Sequence, residues 1–347
     1  MSSFPLAITG VGMVTGVGIN APTTCAAIRC AIDNFQETRF MDSGGEWIMG
    51  CEVPLEQPWR GKTKLIKMAA AAITECLTTN QQLAPQATPL LLCLSEHDRK
   101  GRVIDDDNQF FLDLQAELGI EFHEKSRVIP RGHVSVAVAL KHAQQLLQEK
   151  NIKHVLIAAT DSMLIWPTLA HYQENERLLT SQNSNGFIPG EAGAALVIER
   201  LYAKPEPQLI CHGLGFGIEK AHVDSEEPLR ADGLSTAIKD SLSDAGYGES
   251  KLDYRITDIS GGHYSFKEAS LAFSRINRTN ERKEFDIWHP ADCIGEVGAV
   301  IGPVMIAVLK SACEKAYSNG NHILAHLGND DGKRSAMIFT WQTVGAQ

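Results

Sequence analysis

The hydrophobic residues of the chain fall into short continuous runs that alternate with longer segments of helical periodicity. Apolar runs of about four to eight residues predict buried strands, and apolar residues spaced three and four apart predict amphipathic helices. The resulting order of strand, helix, strand, helix, strand, strand occurs twice. The first copy covers residues 6–12, 63–79, 90–94, 134–149, 154–159 and 194–198, and the second covers residues 209–215, 233–245, 255–259, 297–317, 322–326 and 336–340.

The repeat predicts two α/β halves, residues 1–202 and 208–347, joined by a polar, proline-bearing hinge at residues 203–207. Strands that are apolar throughout, with helices between them, are typical of sheets covered on both faces. Two such sheets that share a central layer of helices form a five-layer α-β-α-β-α arrangement, which is the fold class we expect. Two unrelated α/β domains are the alternative interpretation of the same pattern.

The repeat is interrupted by three polar stretches, residues 34–61, 97–127 and 163–188. They are rich in Gly, Asp, Asn and Gln and show little periodicity, which is typical of surface loops. We therefore expect these stretches to lie on the surface or to face a partner.

The amino-acid composition limits the classes of binding partner that we expect for this protein. The 347 residues are 44% hydrophobic, and the formal net charge of −10 at pH 7 argues against nucleic acid or an anionic membrane as a partner. We find no apolar run long enough to span a bilayer and no signal-peptide pattern at residues 1–5. The expected location is therefore the cytoplasm.

The cysteines are scattered and form neither a C-x-x-C pair nor a cluster with histidines. Thiols in that arrangement are typically reduced and buried as small apolar groups. We expect no metal site and no bound cofactor. The eight cysteines are Cys25, Cys30, Cys51, Cys76, Cys93, Cys211, Cys293 and Cys313.

The stretch in which catalytic chemistry is most expected is residues 128–143, and we call its strand-to-helix turn at residues 130–135 the elbow. A short extended run reaches a turn at Arg131 and Gly132 and continues as an apolar helix. Backbone N–H groups at the start of a helix favour negative charge, so nucleophiles are often placed at such a turn. The elbow offers His133 and Ser135 but no cysteine.

Three segments of the chain resemble a known family. Residues 7–15 (AITGVGMVT) are similar to its opening strand and turn, and residues 185–197 (NGFIPGEAGAALV) to its G-F-x-x-G-E-x-A/G strand pair. Residues 293–300 (CIGEVGAV) are similar to the glycine-rich turn after its second catalytic histidine. The chain therefore resembles the thiolase-like superfamily and, within it, the β-ketoacyl synthases.

The resemblance implies an altered active site. In that family a cysteine at the elbow attacks an acyl thioester, and two further residues, usually histidines, activate the condensing partner and stabilise the oxyanion. When the positions of the family are carried over to this chain, His133 stands in place of the cysteine. Asp258 or Ser260 stands in place of the first histidine, and Asp292 stands in place of the second. The glycine-rich loop that closes the family's pocket is reduced to residues 328–332. Imidazole forms only a labile acyl intermediate and a carboxylate repels an enolate, so the resemblance implies a catalytically inactive protein. A polar contact between Asp292 and His133 would fill the old site.

The sequence leaves an enzyme open as the alternative. Ser135 and Cys293 are candidate nucleophiles, and His133 is a candidate base or nucleophile. His263 and His289 are candidate bases on adjacent loops, and spacing alone does not show that they reach the same cleft. Each also has a structural interpretation, as a small packing residue, a buried thiol beside a tight turn, or an imidazole paired with a carboxylate. The alternative function is that of an acyltransferase or ketosynthase-type enzyme with unusual catalytic residues.

The resemblance implies that the protein functions by binding other proteins through its surface. Dimers of this superfamily pair the strand just before the elbow, here residues 126–129, across a two-fold axis, and that sheet edge is otherwise exposed. Inactive members commonly pair with a related subunit, as chain-length factors do with their ketosynthases. We therefore expect a homodimer, or a heterodimer with a related thiolase-like protein, including the role of non-catalytic partner to an active ketosynthase.

Residues 257–268 and 289–298 resemble a narrower group. Stand-alone ketosynthase-like proteins found with bacterial type VI secretion effectors carry similar D-x-x-G and H-P-A-D-x-x-G-E-x-G-A patterns. This likeness implies an adaptor or chaperone that helps to load a secreted effector.

Overall fold

The structure is a computed structural model that describes residues 4–276 and 285–345. In chain order, its strands are β1 (Leu6–Thr15), β2 (Gln36–Met41), β3 (Trp47–Gly50), β4 (Leu90–Leu94), β5 (Arg127–Pro130), β6 (His154–Ser162), β7 (Glu191–Arg200), β8 (Lys204–Ile218), β9 (Tyr254–Thr257), β10 (Ile287–Trp288), β11 (His322–Gly328) and β12 (Lys333–Val344). Its helices are α1 (Ala21–Arg29), α2 (Gly61–Thr79), α3 (Asp107–Leu118), α4 (Ser135–Leu146), α5 (Trp166–Glu174), α6 (Asp232–Ala245), α7 (His263–Ile276), α8 (Ala291–Ile294) and α9 (Ile301–Glu314).

Each half of the chain contributes five strands in the same relative order. The first half is arranged β5-β4-β6-β7-β1 and the second β10-β9-β11-β12-β8. Both orders read 3-2-4-5-1 when the strands of each half are numbered along the chain. The directions also correspond, because β4 lies parallel to β5 and β6 as β9 lies parallel to β10 and β11. The internal repeat predicted from hydrophobic periodicity is thus a repeat of topology.

The two sheets are covered on both faces, as the apolar strands predict. Apolar side chains of both sheets meet around α4 and α9 in one large cluster between them. The outer face of the first sheet packs on α2 and α3, and that of the second on α6 and α7. Helix α9 is buried along almost its whole length, as expected of a helix that is apolar all round. The expected five-layer α-β-α-β-α arrangement is confirmed.

A short pairing joins the two sheets. Strand β1 pairs with β8 in antiparallel fashion over Leu6–Ile8 and Leu209–Cys211, so ten of the twelve strands in the described chain form one continuous mixed sheet, while β2 and β3 pair separately. The expected hinge at residues 203–207 is wrong in its main part, because β8 already begins at Lys204. Its polar start pairs with the end of β12, where β1 no longer runs alongside, and prolines are tolerated at such a free edge. The two halves as separate domains stay a prediction.

The polar stretches expected to be surface loops contain regular structure. Residues 34–61 include the hairpin of β2 and β3, and the other two stretches contain α3 and α5. Helix α3 is capped by the Asp106 carboxylate, which accepts hydrogen bonds from the Asn108 and Gln109 amides. Only Phe110 and Leu114 of α3 are fully buried. The hydrophobic pattern of these elements was therefore too weak for them to be predicted from the sequence. Within the described residues, no helix combines the length and apolar character needed to cross a membrane.

Candidate functional site

The elbow places one side chain over the interior of the protein. Strand β5 ends at Pro130, and a single 3₁₀ turn over Gly132–Val134 leads directly into α4. Gly132 has a φ of +59°, and a Cβ at this position would overlap the Glu96 carboxylate. Glycine meets both requirements, and it turns His133 toward the second half of the chain.

His133 is held between two carboxylates. Its Nδ1 lies 3.0 Å from Oδ2 of Asp258, and its Nε2 lies 3.0 Å from Oε1 of Glu296. Burial by itself would lower the pKa of His133, but the two carboxylates outweigh it and hold that pKa well above its usual range. The pKa of Glu296 is lowered in turn, because His133 outweighs the effect of burial on that carboxyl. We call these three residues the clamp.

Hydrogen bonds fix the carboxylates of the clamp from behind. Glu296 accepts from the Ser260 hydroxyl at 2.6 Å and from the Gly298 amide at 2.8 Å. Asp258 accepts from the Gly328 amide at 2.7 Å. A protonated imidazole with both N–H groups so engaged has no lone pair with which to accept a proton or attack a carbonyl.

The contacts of Ser135, the second candidate at the elbow, are those of a structural residue. Its hydroxyl accepts from the Arg131 amide and donates to the Ile129 carbonyl, both at 3.0 Å, and it is fully buried. These bonds close the backbone turn. Within the described chain, the hydroxyl contacts no histidine or carboxylate that would act as its base.

The expected polar contact between Asp292 and His133 is wrong. The Asp292 side chain is 72% exposed, and its ionic neighbour is His289, at 3.7 Å from Nδ1. Glu296, four residues further along, contacts His133 instead. Residue 292 is the one exposed position of the short helix α8, whose other three residues are buried, and the chain then turns at Gly295 with a φ of +71°.

The other candidates are separated. Burial, and then the Asp292 carboxylate, raises the pKa of the Cys293 thiol to about 11, so the buried sulfur stays protonated at neutral pH. His263 starts α7 at the exposed rim, where its amide donates to Asn185 at 2.7 Å. Ser260 contacts Glu296. The structure therefore brings His133, Asp258 and Ser260 together and leaves Ser135, Asp292, Cys293 and His289 outside the group.

A cavity of about 320 Å³ opens in front of the clamp. About a third of the residues that line it are charged, and arginines there form ion pairs with carboxylates. Asp161 accepts from Arg99 at 2.7 Å, and Asp330 accepts from Arg177 at 2.7 Å. The charged and hydroxyl-bearing residues that line it include Glu96, Arg99, Tyr172, Arg177, Glu268, Asp330 and Arg334.

Several of these residues escaped the sequence analysis. Glu96 directly precedes the expected surface stretch 97–127 and Arg99 lies within it. Asp330 lies in the shortened glycine loop, where its carboxylate also accepts from the Tyr172 hydroxyl at 2.9 Å. Burial raises the pKa of the Glu96 carboxyl beside them. The run of Glu96, His97, Asp98 and Arg99 directly after an apolar strand was the available signal. Among the described residues, no cluster of metal-binding side chains occurs.

The fold is that of known ketosynthases. The chain is similar, with a TM-score of 0.79 and 13% identity over 98% of this chain and 100% of that one, to a chain of the AntDE:AntF type II polyketide synthase complex of an acyl-carrier protein with its ketosynthase bound to the hexaketide. It is similar to the ishigamide ketosynthase/chain length factor, with a TM-score of 0.78 and 15% identity over 99% and 100% of the two chains. It also resembles a β-ketoacyl synthase from Burkholderia phymatum STM815, with a TM-score of 0.71 and 14% identity over 99% and 100%.

A further similar structure is the ketosynthase ApeO in complex with its chain length factor ApeC from Xenorhabdus doucetiae, with a TM-score of 0.75 and 13% identity over 98% of both chains. No protein-family model and no curated protein sequence matches the chain. At these identities the likeness establishes the thiolase-like fold of the ketosynthases and leaves the chemistry to the residues themselves.

Proposed function

We propose that the chain is a non-catalytic protein of the ketosynthase fold that acts through contacts with other proteins. The observation that carries this proposal is the clamp. The residue at the elbow is an imidazole whose two nitrogens are both engaged by buried carboxylates, Asp258 and Glu296. A side chain held in this way stabilises the interior and has no free electron pair for a substrate.

The electrostatics of the clamp oppose acyl condensation. A condensing site needs a nucleophile at the elbow and N–H donors or cations where negative charge develops. Here Asp258 and Glu296 together outnumber the one positive charge of His133. Removal of a single oxyanion donor typically costs a factor of about 10²–10³ in kcat, and here negative groups stand in place of donors.

The partner that we propose is a second thiolase-like chain, either another copy or a related one. Strand β5 pairs with β4 on one side only and ends the sheet within the described chain. A sheet edge of this kind is a template for pairing with another strand. Similar structures include ketosynthases that occur in complex with chain length factors, which supports a pairing of like folds.

The absence of acyl chemistry is tested by intact-mass analysis. The protein is incubated with short- and long-chain acyl thioesters, alongside an active ketosynthase that proves the reagents. We expect no covalent adduct and no thioester turnover above the rate in buffer. An acyl adduct on His133, Ser135 or Cys293, or turnover lost on substitution of one of them, would show an enzyme and refute the proposal.

The pairing is tested by sedimentation of the purified protein. We expect a dimer that Val128→Glu weakens by at least tenfold, because two-fold pairing would bring two new carboxylates close together on the strand edge. Ile218→Glu is the control for a new surface carboxylate, because Ile218 is 73% exposed on β8, in the other half. Val128 also packs on the outer core of the first half, so the urea midpoints of both variants are compared to separate lost pairing from lost packing. A monomer in sedimentation together with no co-purifying thiolase-like chain, or equal dissociation of both variants, would contradict the proposed interface.

A narrower proposal follows from the resemblance of residues 257–268 and 289–298 to type VI secretion-associated proteins. We propose that the assembled protein binds a secreted effector or its adaptor. Two of the three acidic residues of those patterns, Asp258 and Glu296, hold His133, which supports a structural reason for that part of the motifs. A tagged chain expressed in its own cell is expected to retain an effector or spike component. Retention of neither, with effector delivery unchanged on deletion, would reject this role.

A further inference from the structure

The free edge strand of the first sheet carries basic residues and no acidic one. Between residues 125 and 131 the charged residues are Lys125, Arg127 and Arg131, although the net charge of the whole chain is −10. Lys125 forms an ion pair with Glu149. Arg127 and Arg131 are exposed, and no carboxylate within the described residues pairs with either side chain. Strand β5, which begins at Arg127, pairs only with β4 in the described chain, so its other edge is available to a partner.

A cavity of about 260 Å³ opens at this edge, between β5 and α4. Arg127 lines it from the strand, and His142, Gln145 and Glu149 line it from the helix side. Because Lys125 engages Glu149, Arg127 is the charged group of this cavity that has no partner among the described residues. Burial, and then the positive charge of Arg127, lowers the pKa of His142, so this imidazole is neutral at neutral pH and donates one N–H. A carboxylate that enters the cavity therefore meets a guanidinium and hydrogen-bond donors.

Two-fold pairing of identical edges brings positive charges together. An antiparallel strand pair that continues the sheet has its two-fold axis perpendicular to the sheet, so equivalent residues of the two copies lie on the same face. With the axis at residue 127 or 128, Arg127 of one copy lies directly or diagonally opposite Arg127 of the other, within reach of long side chains. Like charges in these positions destabilise the pair, and charged residues on an edge strand discourage self-association.

We propose that the β5 edge selects a related but non-identical thiolase-like chain, one whose own edge strand places a carboxylate against Arg127 in this cavity. This inference rests on the proposed pairing through β5 and specifies the partner that the pairing favours. One Asp or Glu on the added strand, opposite Arg127 and on the same face, reaches the guanidinium. In two identical copies the opposite residue is Arg127 or Ile129, and neither side chain is an acceptor.

The test uses a charge-reversed copy of the chain as the acidic partner. Tagged native protein is mixed with an equal amount of Arg127→Glu, and native mass spectrometry at low ionic strength separates the native, mixed and variant dimers. We expect the mixed dimer to bind roughly fivefold tighter than the native homodimer, because an attractive pair replaces a repulsive one. Arg230→Glu, which reverses an exposed arginine in the second half, is the control. Its mixture with native protein is expected to contain the three dimers in the proportions of random pairing.

Salt and a second variant separate charge from shape. Raising the salt concentration to about 0.5 M is expected to remove most of the preference for the mixed dimer, because salt screens exposed charges. Gln145→Glu in the native chain is expected to remove it as well, because a carboxylate of the same chain then lines the cavity with Arg127. Random proportions at low salt, or a preference that survives either change, would overturn the inference and leave pairing through β5 standing. Monomers in every mixture would overturn the pairing itself and the inference with it.

Discussion

Replacement of His133 by alanine measures what the clamp contributes. In the native protein the imidazole lies 3.0 Å from each of two carboxylates, and only 10% of the Asp258 side chain and 7% of the Glu296 side chain are exposed. The alanine variant leaves both carboxylates facing each other with no cation between them. They then either repel each other or bind protons, and both outcomes reduce the stability of the fold.

The size of the effect follows from the burial of the clamp. Removal of one partner from a buried ion pair destabilises a protein by about 3–5 kcal/mol. The Gly298 and Gly328 amides still hold the carboxylates, so we expect the lower end, about 3 kcal/mol. A triple variant with His133→Gln, Asp258→Asn and Glu296→Gln keeps the shape without charge. We expect it to recover most of the loss, because neutral replacement of a whole buried ionic group is often tolerated.

The contribution of the clamp depends on pH in a defined direction. The pKa of His133 is raised in the folded protein, so its stabilisation is complete below its ordinary value of 6.5 and declines as pH rises toward the folded pKa. The pKa of Glu296 is lowered, so its stabilisation is complete above the ordinary value of 4.5 and is lost as pH falls through the folded pKa. The gap between native protein and variant is therefore widest from about pH 5 to 6.5.

Urea unfolding followed by tryptophan fluorescence and circular dichroism provides the measurement, at about pH 5.5 and about pH 8.5. The expected result is a lower transition midpoint for His133→Ala, a smaller difference at the higher pH, and recovery in the triple variant. A loss below about 1 kcal/mol, which is the worth of an exposed ion pair, would show that the imidazole is not an interior cation. A triple variant as unstable as the single one would show that packing, and not charge, dominates.

Three further predictions concern the surroundings of the clamp. Gly132→Ala is expected to lower the unfolding free energy by more than about 2 kcal/mol, since it combines a φ of +59° with overlap on Glu96, and an unfolding midpoint like that of the native protein would contradict this. Iodoacetamide at neutral pH is expected to modify the exposed Cys30 and to spare buried Cys293, whose pKa is raised to about 11, as peptide mass mapping would show. Asp292→Asn is expected to change the free energy of unfolding by less than about 0.5 kcal/mol, because that side chain is 72% exposed. A larger change in the melting temperature would show that Asp292 contributes to the site.

The architecture was largely predictable because its signals are local and strong. Strand β4 has five apolar residues in a row, and the predicted range of residues 90–94 matches Leu90–Leu94. Helix α9 is apolar on every side, which marks it as central. The hairpin of β2 and β3 was missed because β2 is mainly polar and exposed and β3, although apolar and alternately buried, is only four residues long.

The site was only partly predictable because it is assembled from turns. Hydrophobic periodicity identifies a strand or helix but does not show which residue of a loop faces the site. The sequence analysis chose Asp292 as the residue that contacts His133, whereas Glu296, four residues later, makes that contact. The φ of +71° at Gly295 is what directs the following residue inward. The partners Arg99 and Asp161 are 62 positions apart, and only tertiary structure brings them together.

The position of β1 within the sheet has a consequence for how the protein is made. Strand β1 pairs with β7 through Leu6 and Arg200, and with β8 across the seam of the two halves, and both of these strands are synthesised after it. At translation rates of about 5–20 residues per second, β1 waits roughly 10–40 s for its first neighbour. During that interval the apolar strand has no neighbouring strand of its own sheet to pair with, so its backbone hydrogen-bonding groups are satisfied within that sheet only after β7 has been synthesised.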